Sequence, residues 1–158
     1  MKNFQNKIRI IKVSKIIRHI LFAGVVLWAI GIPIVFLNCL LKTPTVTGLT
    51  RLNLQGGFLL VMLFQLLANF QLFRFFDRLQ RGFLFDKTTV GHLKVAGQWF
   101  VVLWFYEVFH AILNSQIHVE STGWIWNPST LFAGLILIFF AWLLKEAQDL
   151  QEEQELTV

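Results

Sequence analysis

Four apolar runs, at about 20–41, 57–76, 95–113 and 125–144, constrain this 158-residue chain more than any other feature. Each approaches the roughly 20 residues that a helix needs to cross a ~30 Å hydrocarbon layer. Inside that layer every backbone N–H and C=O must be paired within the protein, and one isolated segment can do so only as a helix. Composition agrees. The chain is 56% apolar and 15% charged, whereas a soluble domain carries about a quarter charged residues. The expected fold is all-α: an integral membrane four-helix bundle, one domain over 1–158, without internal repeats or a linker long enough to divide it. Pro33 falls within the first run and is expected to kink it, as lipid-embedded helices tolerate.

The basic residues are unevenly placed. Lys2, Lys7, Arg9, Lys12, Lys15 and Arg18 precede the first run, and Arg74, Arg78, Arg81, Lys87 and Lys94 lie between the second and third. Positive residues stay on the cytoplasmic side, so the N-terminus and the middle loop, 77–94, are expected there. Four crossings then return the C-terminus to the cytoplasm. Trp124 and Trp126 fall at the outer interface and Trp99 and Trp142 toward the inner one, as an aromatic belt requires. The same asymmetry argues against direct nucleic-acid binding, because the basic clusters flank membrane-length segments. Cys39 is the sole cysteine, which excludes an intramolecular disulfide and a cysteine metal cluster. The first run is longer than a signal-peptide core and no small-residue cleavage site follows it, so no cleaved leader is expected.

Three pieces lie outside the runs. The N-terminal "KIRIIKVSKIIRHI" places Ile10, Val13, Ile17 and Ile20 on one helical stripe with lysines opposite, which suits a helix resting on anionic headgroups. In the middle loop, Gly82 is expected to end the second helix, because glycine accepts positive φ cheaply. Asp86 is expected to cap the third. The segment 145–158 reads as an acidic helical continuation of the fourth span. Carboxylates near a helix C-terminus oppose its dipole, so something basic should offset them: this protein's own loop, or another protein.

Polar residues also interrupt the apolar runs. Glu107, His110 and Asn114 share a face of the third helix, and Gln65 and Asn69 share one on the second. Intramembrane ionisable groups are costly and functional by default. Two readings stand: a proton or cation site with His110 as relay, or hydrogen-bonded glue between helices. A metal would need His118 and Glu120 to join His110, and no metal is expected. The chain has no nucleophile–base motif and no phosphate loop, so neither catalysis nor a cofactor is expected.

The loop "RLQRGFLFDKTTVGHLKVAG" resembles that of the domain-of-unknown-function 2975 family of small bacterial membrane proteins, through Gly82, Phe85, Leu93 and Gly97. The closing stretch is similar in its glycine-bearing fourth helix, Gly134, and its terminal signature Leu150 to Val158. The family's loop often continues from the phenylalanine with threonine, glutamate and asparagine, where this chain has Asp86. The resemblance implies a bacterial inner-membrane protein without assigned activity. It also implies a small helix-turn-helix regulator as partner, because members are often encoded beside one.

Two functions follow as expectations. One is a membrane sensor or anchor that binds such a regulator through Arg78, Arg81, Asp149, Glu152, Glu153, Leu156 and Val158. The acidic helix would compete for the cationic face that otherwise meets DNA. The other is a small transporter or ion pathway centred on Glu107 and His110, with Gln65 and Asn69, formed by a homo-oligomer because four helices enclose little space.

Overall fold

The computed structural model describes residues 2–41, 48–83, 86–116 and 128–156, and these form four helices apart from the turn after α2. They are α1 (Lys2–Leu41), α2 (Gly48–Gln80), α3 (Lys87–Gln116) and α4 (Pro128–Leu156). All four contain a segment long and apolar enough to cross a membrane, which makes this a multi-pass membrane protein. The helices are 40, 33, 30 and 29 residues long, or roughly 43 to 60 Å at 1.5 Å per residue. Each therefore exceeds the hydrocarbon thickness and projects beyond it. α1 runs unbroken through Pro33, and α4 starts on Pro128, whose missing N–H costs nothing in a first turn.

The helices are antiparallel in sequence and pack in chain order. α1 lies on α2, α2 on α3 and α3 on α4, and no other pair brings described Cα atoms within 8 Å. The bundle is thus opened into a row. One end gathers the start of α1, the turn between α2 and α3, and the end of α4; it is called the basic end below. The accessible surface is 11273 Å², against about 8,200 Å² for a compact soluble chain of this mass. Many large apolar side chains are exposed: Leu27 is 71% exposed and Ile20 66%. In water such a surface would aggregate, but in lipid it costs nothing.

A glycine sits at each helix–helix contact. A Cβ added at Gly31 of α1 would lie 3.2 Å from Met62 Cε on α2. One added at Gly57 of α2 would fall on the His110 ring of α3. The α3–α4 crossing is tightest: a Cβ at Gly97 would lie 2.7 Å from the Gly134 carbonyl oxygen, and one at Gly134 would lie 2.8 Å from that of Gly97. Ala68 of α2 and Ala96 of α3 are fully buried. Small residues let backbones approach where lipid supplies no hydrophobic drive for association. A side-chain core of Phe75, Leu79, Val90, Leu93 and Ala141 draws on α2, α3 and α4.

The aliphatic stripe read from the sequence of α1 is not the face that packs on α2. Ile10, Val13 and Ile20 are exposed and Ile17 is half-buried, and the half-buried or buried positions include Ile11, Ser14, Arg18, Leu21, Val25 and Trp28. These alternate by three and four residues, the spacing of a left-handed helix pair. The aliphatic stripe faces outward because lipid accepts it, while Ser14 and Arg18 need the shelter of α2.

Gly134→Leu should separate α3 from α4, because the neighbour it meets is backbone and cannot rotate away. It should cost at least about 1–3 kcal/mol, read as a lowered thermal unfolding temperature in detergent micelles. Gly24→Leu, where a Cβ meets nothing within 4 Å, should leave that temperature unchanged or slightly raised.

Candidate functional site

Polar chemistry concentrates at the basic end, where an ion pair among the described residues joins each helix pair. Arg18 of α1 donates to Asp77 Oδ1 of α2 at 3.0 Å. Arg78 of α2 meets Asp86 Oδ2, at the head of α3, at 2.5 Å. Lys87 of α3 reaches Glu152 Oε1 of α4 at 3.6 Å. Asp77 also takes Arg81 on its second oxygen at 2.7 Å. Arg18–Asp77 is the most sheltered of these pairs, and Lys87–Glu152 lies in solvent, where exposed pairs contribute little.

Local backbone chemistry positions these groups. α2 ends on Gly82 at φ +91°. The Gly82 N–H returns to the Leu79 carbonyl at 3.0 Å and the Phe83 N–H to that of Arg78 at 3.2 Å, the paired bonds of a glycine-terminated helix. This sharp stop turns Arg78 toward α3. Its Nε donates to Thr89 Oγ1 at 3.2 Å, and Thr89 is fully buried. Its guanidinium also lies 5.8 Å from the Phe83 ring centroid. Asp86 caps α3: its carbonyl accepts the Val90 N–H at 3.1 Å, and its carboxylate accepts from Thr88 through hydroxyl and backbone. The Thr88 hydroxyl first, and then the Arg78 guanidinium, hold the Asp86 carboxyl below its ordinary value.

Between α2 and α3, Arg74, Asp77, Arg78, Arg81 and His92 line a cleft of about 250 Å³. The Arg74 guanidinium stacks 4.6 Å from the Phe70 centroid, and His92 Nδ1 hydrogen-bonds Gln71 Oε1 at 2.9 Å. On the far side of α3, a groove of about 420 Å³ opens against α4, with Lys87, Lys94 and Lys145 at its edge.

The residues proposed to bind a partner fall into two sets. Arg78 and Arg81 pair with Asp86 and Asp77. Glu152 pairs with Lys87 and accepts the amide of buried Gln148 at 3.0 Å. Asp149 and Glu153 are exposed on α4. Lys87 is what links the two sets. Leu156 ends α4, its side chain outside the described residues, as is all of Val158.

The intramembrane set spreads over two helices. Gln65 and Asn69 are half-buried on α2. His110 rests on Gly57 and beside Tyr106, ring centroids 5.8 Å apart. Glu107 Oε2 is buried without a hydrogen-bond partner, as is Trp104 Nε1 one turn earlier. His118 and Glu120 lie outside the described residues, and among those described no three His, Cys, Asp or Glu cluster as metal ligands. Asp77 was missed by sequence reasoning, although its spacing to Arg81 signals an i,i+4 pair.

A family model described as "Protein of unknown function (DUF2975)" matches residues 41–158. The chain belongs to that family. The match takes in α2, α3 and α4 and leaves nearly all of α1 outside it. No curated protein and no solved structure matches the chain significantly.

Because the folded Asp86 carboxyl titrates below its ordinary 3.8, its contribution to stability is complete above that value. It is lost as pH falls through the depressed one. Hydrogen exchange of the first α3 amides should therefore accelerate below about pH 4 relative to mid-helix amides, and Asp86→Asn should abolish that pH dependence.

Proposed function

We propose that this family member is a membrane-anchored docking protein. It lies in the bacterial inner membrane with its basic end in the cytoplasm and binds a small, basic helix-turn-helix DNA-binding protein there. The lysine and arginine asymmetry supports the orientation. The observation that carries the function is the uninterrupted course of α4 from its apolar span to Leu156. A helix made of the last turns alone would be marginal in water, but growing from a membrane anchor it is already nucleated. Gln148 is buried at its root and Glu152 is held by Lys87, while Glu146 and Asp149 are exposed. An ordered acidic helix presents charge at fixed spacing to a cationic surface, and a basic DNA-binding face meets phosphates in that way.

Affinity purification from native membranes tests this. The wild type should retain a basic helix-turn-helix protein, and that protein's DNA should displace it. A Glu146→Gln, Asp149→Asn double variant should lose the partner and unfold at the wild-type temperature. Retention by the double variant, or no DNA competition, refutes docking.

A second reading has one observation in its favour, the buried Glu107 oxygen that no hydrogen bond satisfies. A proton or cation pathway around it, with His110 and built by an oligomer, would use such a group. On the docking reading, Glu107→Gln leaves proton flux into proteoliposomes unchanged. A loss of flux in a protein that unfolds normally assigns the chain to transport instead.

A further inference from the structure

We propose that the α3–α4 groove is a binding site for one anionic glycerophospholipid of the surrounding bilayer. Its phosphate would sit at Lys94 and Lys145, and an acyl chain would run along the seam.

The shape comes from two helical stripes. On α3, Lys87, Gly91, Lys94, Gln98 and Val102 recur at spacings of three and four, and on α4 Ile138, Trp142, Lys145 and Asp149 do the same. Such spacing keeps each set on one helix face, and the two faces turn to the same side of the seam. The upper part of the groove holds about 420 Å³. Next to it is a mainly apolar trough of about 450 Å³ lined by Val95, Gln98, Trp99, Val101 and Val102. Ile138 walls both parts, so the groove passes from a charged mouth to an apolar channel along the helices. It has a floor, because α3 and α4 meet backbone to backbone at Gly97 and Gly134. Gly91 keeps the upper part open, since a Cβ there meets nothing within 4 Å.

Charge selects the headgroup. Among the described residues, neither Lys94 nor Lys145 pairs with a carboxylate. Lys87 at the rim is shared with Glu152, and Asp149 also borders the mouth. The two unshared lysines therefore give the mouth its anion preference. Lysine stems lie along apolar surface and carry their charge to the headgroup level. Trp142, 56% exposed at the same mouth, suits the same interface. A free phosphate would use the lysines and leave the apolar trough empty, whereas a phospholipid uses both. The site does not depend on a docked protein.

Native mass spectrometry of delipidated protein in detergent tests this. With phosphatidylglycerol, one lipid per chain should be retained about tenfold more tightly than phosphatidylcholine, as expected for lysines acting on an anionic headgroup. Lys94→Gln with Lys145→Gln should remove that preference, and Val102→Trp should weaken both lipids by filling the trough. Photoactivatable phosphatidylglycerol should label wild-type peptides 87–102 and 138–149, a readout that needs no variant to fold. Equal retention of the two lipids, or labelling elsewhere, overturns the site. Displacement of the lipid by inorganic phosphate alone overturns it in favour of a soluble anion.

Discussion

A leucine gains almost nothing by leaving lipid tails for a neighbouring helix, so cohesion in this protein depends on how closely backbones can approach. The mutual contact of Gly97 and Gly134 follows from that constraint, as do the seats of His110 on Gly57 and of Met62 on Gly31. Each places dense packing where a larger residue would hold two helices apart. The outward aliphatic surface, including Ile20 and Leu27, is then solvated by acyl chains and has no part in cohesion. The same constraint explains why the buried core is small and why it lies where α2, α3 and α4 meet near the basic end.

Charge completes what packing starts. Among the described residues an ion pair joins each helix pair at the basic end, and burial falls from Arg18–Asp77 through Arg78–Asp86 to Lys87–Glu152. The sheltered pair holds α1, which among the described residues has α2 as its one helical neighbour. The middle pair clamps a turn that glycine and an aspartate cap already shape. The most exposed pair holds the acidic end of α4, whose carboxylates oppose their own helix dipole. The weakest link is therefore on the element with the most exposed carboxylates, and Lys87 stands between those carboxylates and the α3–α4 groove.

Much of this was legible in the sequence because it is written locally. Apolar runs gave the four helices, and a glycine followed by an aspartate four residues later gave the turn at Gly82 and Asp86. Partner choice was not legible. Lipid-facing and helix-facing surfaces are both apolar, so periodicity cannot separate Ile20, which is exposed, from Leu21, which turns inward. Arg18 with Asp77, and the lysine-rimmed groove, each need residues from two helices, and neither helix names its neighbour. Gly97 and Gly134 were visible as family positions, but that they touch is a property of the crossing. The unsatisfied Glu107 oxygen was equally out of reach, since Gln65 and Asn69 offered plausible partners by spacing alone.

The serial packing of the row has a consequence for biogenesis. In a closed bundle the first helix waits for the last before its interface is complete. Here each helix after the first, on leaving the insertion machinery, finds a packing neighbour already in the bilayer, the helix made just before it. Close-range pairing of this kind avoids the long loop closures that slow folding and expose unfinished surfaces. Synthesis from the N-terminus can then set the four helices down in order, with no later rearrangement needed to bring distant segments together.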